Sequence, residues 1–127
     1  MDGPSFLDIV WGQKPDSSWL YLWELAGRKS YWYQNSTVAQ ARVEMLRDRD
    51  IYLGVGIGAG KGTSSQRLHS SAVIGIPGLW LDLDVAGPAH KKPGLPPTRE
   101  DAEQWILTLP LRPSVIVDSG WGFQLWW

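Results

Sequence analysis

Asp82 and Asp84, which are separated by a single residue, are the residues of this chain best suited to chemistry. They lie in the segment 78–87, GLWLDLDVAG, whose alternation is typical of a β-strand. Side chains of a strand alternate between its faces, so both carboxylates share one face with Trp80. Their backbones are then about 6.5–7 Å apart, which allows their oxygens to converge on one hard divalent cation. The pair predicts a site for Mg²⁺ or Mn²⁺, and the alternative is a strand face whose acids are merely solvated.

Three basic residues follow the acidic pair within a few positions: His90, Lys91 and Lys92. Positive charge beside a bound cation is what a triphosphate or a nucleic-acid backbone needs for binding. These residues are therefore predicted to contact phosphate or nucleic acid, and the alternative is a solvated surface loop.

The segment 118–122, DSGWG, is a second candidate for binding phosphate. It offers backbone N–H groups, the Ser119 hydroxyl and two glycines, Gly120 and Gly122, that let a ligand approach the backbone closely. These groups suit phosphate oxygens, and the alternative is a plain β-turn.

The elements before the acidic pair are predicted from apolar periodicity and turn residues. Residues 1–18 mix polar residues with Pro and Gly, which indicates a lead-in with little regular structure. Residues 19–34 hold two aromatic-rich runs around a turn, which predicts a hairpin, and Thr37 is the candidate cap of a following helix. Residues 51–58 alternate apolar residues with glycines and predict a strand with one nearly bare face, open to a backbone, a large aromatic side chain or a ligand.

Residues 59–77 are predominantly polar and predict a loop. A phosphate-binding loop of the Walker A type is rejected here, because Gly62 follows Lys61 where that motif needs Ser or Thr. Val55 also stands where the first glycine of that motif belongs.

Residues 78–127 predict a strand, a helix and a hairpin of two further strands. The face of the first strand opposite the acids is entirely aliphatic and is predicted to be buried: Leu79, Leu81, Leu83 and Val85. Thr98, with Asp101 three residues later, is the predicted cap of a helix over 97–109. The buried stripe of this helix is predicted from its spacing to be Ala102, Trp105, Ile106 and Leu109.

Composition limits the functions open to these 127 residues. A net charge of −1, 43% apolar residues and the absence of cysteine predict one soluble globular domain. Without cysteine there is no disulfide, thiolate zinc site, iron–sulfur cluster or cysteine nucleophile. No export signal or membrane span is predicted, so we expect a cytoplasmic protein with no membrane partner.

The order of these features resembles the core of the archaeo-eukaryotic primase superfamily, in the primase-polymerase branch carried by phages, plasmids and mobile elements. The first motif of that superfamily is an acidic pair spaced as Asp82-x-Asp84. Its second motif is a Ser-Gly-x-Gly-x-His signature at a hairpin, which residues 119–124, SGWGFQ, match except at Gln124. The stretches SYWY, IYLGVGIG and PSVIVDSGWG are also similar, so the resemblance extends from about Trp19 onward.

The resemblance implies a nucleotidyltransferase of DNA replication, a primase or DNA polymerase. A metal ion held by Asp82 and Asp84 would bind the triphosphate of an incoming nucleotide and activate a 3′-hydroxyl, with a second metal completing the clamp. The residues implied in triphosphate binding are those of the second motif: Ser119, Gly120, Gly122 and Gln124. Gln124 donates only a neutral hydrogen bond where the family has histidine, so triphosphate binding is expected to be weaker or assisted by another residue.

The fold expected from these elements and from the resemblance is α/β of the α+β type. We expect two layers, a mainly antiparallel sheet with helices, an RRM-like second half, and the acids on the open sheet face. Residues 1–127 are expected to form a single domain, the N-terminal portion of a primase-polymerase core. The third motif of the family, a further metal-binding acid on a later strand, is absent, so this portion is expected to bind metal and nucleotide without extending a strand.

The partners implied are nucleoside triphosphates, a DNA template and primer, and either a downstream helicase domain or a second copy of the chain. The setting implied is the cytoplasm of a bacterium or of a phage-infected host. Two other classes compete with this interpretation. One is a non-catalytic module that stacks tryptophans on single-stranded bases and follows the backbone with basic residues: Lys61, Arg67, Lys91 and Lys92. The other is a replication-initiator nuclease, which is disfavoured because the chain has no His-x-His pair.

Overall fold

A computed structural model describes residues 5–127, whose contacts divide at Pro77 into two compact units. The class is mixed α+β, as predicted, with three α-helices and three antiparallel sheets in the described residues. Each unit has its own core, and the first unit contains two of the sheets and the second unit one. No helix within residues 5–127 has the length and apolar character needed to cross a membrane.

The first unit contains two α-helices, five strands and one 3-10 turn at Ser70–Ala72. In chain order the helices and strands are α1 (Phe6–Trp11), β1 (Leu20–Glu24), β2 (Lys29–Tyr33), α2 (Ser36–Met45), β3 (Ile51–Leu53), β4 (Ile57–Gly58) and β5 (Val73–Gly75). The strands form one sheet of order β2-β1-β3 and a two-stranded sheet of β4 and β5. The predicted hairpin over 19–34 is confirmed as β1 and β2, whereas the predicted loop over 59–77 contains β5 and the 3-10 turn.

Helix α1 occupies part of the segment predicted to be an irregular lead-in, and that prediction is wrong for residues 6–11. Ser5 caps the helix, because its Oγ accepts the Asp8 N–H at 3.2 Å while the Asp8 carboxylate bonds back to Ser5. The helix buries Leu7 and Trp11 in the core of the first unit. The capping box therefore allows a short helix to form despite the Pro and Gly residues on either side of it.

The N-terminal cap of helix α2 lies two residues before Thr37, the predicted cap. The cap is Asn35, whose Oδ1 accepts the N–H groups of Thr37 at 2.8 Å and Val38 at 3.2 Å. Ala39 of this helix and Leu46 at its C-terminal cap are buried, and half-buried Val43 packs against the core of the first unit.

The glycine-rich segment 51–58 is not one strand but two, because pairing stops between β3 and β4. Its bare face is explained at Gly54, where a Cβ atom would overlap the ring of Tyr21. Of the three occupants that the sequence allowed, a large aromatic side chain is the one observed at this position.

The second unit, Gly78–Trp127, contains β6 (Trp80–Asp84), α3 (Arg99–Leu107), β7 (Val115–Asp118) and β8 (Gly122–Trp126). Strand β8 lies between β6 and β7 and is antiparallel to both. The outer strands are therefore parallel to each other, which is the split βαβ arrangement of ferredoxin-like units. Helix α3 covers one face of this sheet through a core of Ala102, Ile106, Phe123 and Leu125.

Helix α3 matches its predicted cap but covers less of the sheet than expected. Thr98 Oγ1 accepts the Asp101 N–H at 3.2 Å, and the burial of Ala102 and Ile106 is confirmed, whereas Trp105 is 41% exposed. Half-buried Leu83 and Val85 pack on the core of the second unit, but Leu79 and Leu81 remain 67% and 37% exposed. The predicted burial of the whole aliphatic face is thus wrong, since the apolar side chains of this nine-residue helix meet only one end of it.

Candidate functional site

The pairing of β6 with β8 brings the two predicted motifs together. Asp82 lies directly opposite Gln124, and Asp84 lies opposite Gly122. Leu79 and Trp127 exchange two backbone hydrogen bonds at 3.1 and 2.9 Å, so the odd-numbered positions of β6 form the hydrogen-bonded pairs. Asp82 and Gln124 are therefore a non-hydrogen-bonded pair, the position at which cross-strand side chains approach most closely, with Cβ atoms about 4.5–5.5 Å apart.

The face that carries these side chains is open. Asp82 and Gln124 are exposed and Asp84 is half-buried. Phe123 and Leu125 alternate with Gln124 along β8 and point to the opposite face, where α3 covers them. The predicted placement of the acids on the open sheet face is therefore observed. We call this surface, consisting of Trp80, Asp82, Asp84, Gly122, Gln124 and Trp126, the acidic face.

Gly122 is required by the close approach of β6 and β8 rather than by flexibility. A Cβ atom at this position would overlap the Leu83 carbonyl oxygen and lie 3.0 Å from Asp84 Cα. Gly122 was predicted to let a phosphate approach the backbone, whereas in the structure it lets strand β6 approach β8. As a consequence no side chain stands across the ladder from Asp84.

The turn between β7 and β8 uses most of its hydrogen-bond donors internally. The Gly120 N–H donates to Asp118 Oδ1 at 2.9 Å, the Ser119 N–H to the Gly122 carbonyl at 3.0 Å, and the Trp121 N–H to Ser119 Oγ at 3.4 Å. Gly120 has a φ of +83°, in the left-handed region that glycine adopts without strain. A phosphate held here by Ser119 and Gly120, as predicted, would have to replace these bonds.

Arg99, which the sequence interpretation did not include, anchors this turn. It is the first residue of α3 and makes two hydrogen bonds to Asp118, one of them from Nη1 to Oδ1 at 3.1 Å. The Arg99 guanidinium, followed by the Gly120 N–H, holds the pKa of Asp118 below its ordinary value. The sequence does contain one sign of this role. Arg99 is a cation at the N-terminus of a predicted helix, where the helix dipole disfavours positive charge, so a carboxylate partner is expected.

The predicted basic segment lies in a loop that returns to the acidic face. The Ala86 N–H donates to the Pro96 carbonyl at 2.9 Å and closes this loop. His90 Nε2 lies 3.4 Å from Asp84 Oδ1, so the structure brings His90 to the acid pair. Lys91 and Lys92 are exposed and form no ion pair with any residue of the described chain, which leaves both ammonium groups available to a ligand.

The donor set of the acidic face suits a cation that also binds a substrate. No group of three or more His, Asp or Glu side chains suited to holding a metal occurs among residues 5–127. Mg²⁺ is commonly held by one or two carboxylates, with water and substrate phosphates filling the remaining positions. Asp82 and Asp84 fit this pattern, whereas a closed cage made of protein ligands alone would need more donors.

The other two basic candidates, Arg67 and Lys61, belong to the first unit. Arg67 Cζ lies 5.5 Å from the ring centroid of Trp23, and the Trp32 Nε1–H donates to the Thr63 carbonyl at 2.8 Å. Both tryptophans therefore contact the chain's own loop. Lys61 is exposed beside this loop.

Comparison with known proteins identified no relative. A scan against protein-family models and searches of curated proteins and of solved structures all returned no match for this chain.

Proposed function

We propose that this chain is the nucleotide-binding core of a nucleotidyltransferase of DNA replication, a primase or DNA polymerase of the primase-polymerase type. The observation that carries the proposal is the pairing of Asp82 with Gln124 on an open sheet face. Two motifs far apart in the chain are neighbours in space, one with ligands for a divalent cation and one with a donor for phosphate oxygen. The proposed setting is the cytoplasm of a bacterium or of a phage-infected host.

Each residue of the acidic face and its surroundings has a distinct proposed role. Asp82 and Asp84 would hold Mg²⁺ or Mn²⁺, which when bound would neutralise the triphosphate and lower the pKa of an attacking 3′-hydroxyl. The Gln124 amide would donate a hydrogen bond to a phosphate oxygen beside Asp82. Lys91 and Lys92 would supply the positive charge that a glutamine lacks. The partners proposed are a nucleoside triphosphate and a DNA template with its primer.

A single-strand binding module is the second candidate function. It is favoured by three exposed tryptophans of the second unit: Trp80, Trp105 and Trp121. Indole rings stack on any base, and nearby lysines would follow the phosphate backbone. This function needs no metal, and its affinity should fall steeply with salt.

Calorimetric titration separates the two functions. Wild-type chain is titrated with ATP or dATP, with and without Mg²⁺ or Mn²⁺, alongside Asp82→Asn and Asp84→Asn. We expect binding that requires the metal and weakens at least about tenfold in either variant, because hydrogen bonds and ionic contacts of a charged ligand are worth about 1.5–3 kcal/mol. Glu100→Gln is the matched control, since it removes an exposed carboxylate of the same unit outside the acidic face.

Two results would overturn the nucleotidyltransferase proposal. One is nucleotide binding that is indifferent to metal, and the other is wild-type affinity in both aspartate variants. Metal-independent binding of single-stranded oligonucleotide that weakens with salt would instead support the single-strand module.

A further inference from the structure

Trp80 is a large exposed side chain that the proposed metal and phosphate contacts do not use. It begins β6 and lies on the acidic face, two residues before Asp82. Its ring stacks on Trp126 of β8, with ring centroids 5.7 Å apart and an angle of 30° between the planes. Trp126 is 8% exposed and Trp80 is 42% exposed, so a buried indole supports an exposed one. This arrangement holds an aromatic surface at a defined place on an open sheet.

The order of groups along the acidic face matches the order of groups in a nucleotide. From one end to the other, the cross-strand pairs are Trp80 with Trp126, Asp82 with Gln124, and Asp84 with Gly122. The β7–β8 turn and the lysine loop adjoin the Asp84 end. Four residues of strand rise place Trp80 about 13 Å from Asp84 along the backbone. A nucleoside triphosphate likewise carries an aromatic base at one end and a polyanionic tail at the other.

We propose that Trp80 is the platform on which the base of the bound nucleotide stacks. This inference rests on the proposed function, because it requires a triphosphate held at Asp82 and Asp84. Base–aromatic stacking contributes about 5- to 150-fold in affinity. Trp80 would therefore distinguish a nucleotide from a phosphate chain that lacks a base. It would tolerate different bases, since every base offers a π face.

The test compares two ligands that share a polyphosphate and differ in the base. ATP and inorganic tripolyphosphate are each titrated with Mg²⁺ into wild type and Trp80→Ala. We expect Trp80→Ala to weaken ATP binding about tenfold and to leave tripolyphosphate binding unchanged. Retained tripolyphosphate binding also shows that the variant is folded. Trp105→Ala is the matched control, because Trp105 is 41% exposed in the same unit but lies on α3.

Two further variants keep the test decisive if alanine disturbs the sheet. Trp80→Phe preserves a ring on Trp126 and should retain most of the ATP affinity. Trp80→Leu preserves apolar bulk without a ring and should behave like alanine. Unchanged ATP binding in Trp80→Ala, or equal weakening of ATP and tripolyphosphate in both Trp80→Ala and Trp80→Leu, would overturn the stacking assignment while leaving the metal site standing.

Failure of the proposed function gives a different pattern. In that case wild type binds neither ATP nor tripolyphosphate in a metal-dependent manner, and the stacking assignment is overturned together with the proposed function. If Trp80→Ala then weakens metal-free binding of a single-stranded oligonucleotide, the indole serves a nucleic-acid strand rather than a free nucleotide.

Discussion

Glu24 is a carboxylate enclosed in the first unit, with only 2% of its surface exposed. It accepts a hydrogen bond from the Tyr31 hydroxyl at 2.8 Å and one from Arg49 Nη1 at 2.7 Å. The Tyr31 hydrogen bond, followed by that of Arg49, holds the pKa of Glu24 below its ordinary value near 4.5. Buried charges persist when they are paired in this way, so these three residues stabilise the end of the β1–β2 hairpin as a unit.

The Glu24 network predicts how the stability of the chain depends on pH. Because the folded-state pKa is lowered, its contribution is fully present above the unfolded-state pKa and is lost as pH falls through the folded-state pKa. In urea unfolding, Glu24→Gln should be less stable than wild type at pH 7, and the difference should shrink toward pH 3. Asp16→Asn, at an exposed acid of the same unit outside this network, is the control. A difference that stays constant with pH would contradict the network.

Gly122 carries the second prediction at the scale of one residue. Gly122→Ala would force β6 away from β8, because the new methyl group overlaps the Leu83 carbonyl. We expect a loss of about 1–3 kcal/mol in the free energy of unfolding together with weaker metal-dependent nucleotide binding. Gly87→Ala is the control, since a Cβ atom there meets open space. Equal stability of the two variants in urea unfolding would show that the strand contact does not need a glycine.

At the scale of elements, the helices of this chain are defined by their first turns. Ser5 and Asp8 begin α1 as a complete capping box, in which each side chain bonds the backbone of the other residue. At the start of α3, Thr98 Oγ1 accepts the Asp101 N–H and donates to the Asp101 carboxylate. Helix α1 is only six residues long and is too short to persist without burying an apolar side. Its stability therefore depends on the side chains that it contributes to the core.

The contribution of α1 can be measured with two variants of the same helix. Leu7→Ala should lower the free energy of unfolding by about 2–5 kcal/mol, because Leu7 is buried in the core of the first unit. Ile9→Ala should change it by no more than about 0.5 kcal/mol, because Ile9 lies 44% exposed. If both variants proved equally mild, α1 would be an appendage rather than part of the core.

At the scale of the molecule, ligand effects should be localised by the division into two units. The acidic face, the turn and the lysine loop all belong to the second unit, whereas the Glu24 network and α1 belong to the first. A ligand that binds only the native state stabilises the elements it contacts by mass action. A ligand bound at the acidic face is therefore expected to slow hydrogen exchange in segments of the second unit.

Hydrogen exchange with Mg²⁺ and ATP tests this localisation. We expect the largest slowing of exchange in residues 79–85 and 119–126, where β6, the turn and β8 lie. Asp82→Asn should abolish that slowing, whereas Glu100→Gln should leave it intact. Protection confined to residues 19–68 would place the nucleotide on the aromatic side of the first unit and would contradict the site.

The features that the sequence predicted correctly are those encoded by neighbouring residues. Strand alternation placed Asp82 and Asp84 on one face, and the turn residues between aromatic runs marked the first hairpin. Thr98 was identified as a cap by the acid three residues later. The α+β class follows from the same local periodicities, whereas α1 was missed although its capping box was equally local.

The sequence by itself determined which groups could act, since residue type and local backbone period need no knowledge of distant contacts. Only the tertiary structure decided that Asp82 faces Gln124, that Gly122 makes room for β6, and that Arg99 holds the turn through Asp118. It also decided that α3 leaves the acidic face uncovered and that the chain forms two units. Each of these depends on strand register and packing between distant segments, and no window of neighbouring residues contains that information.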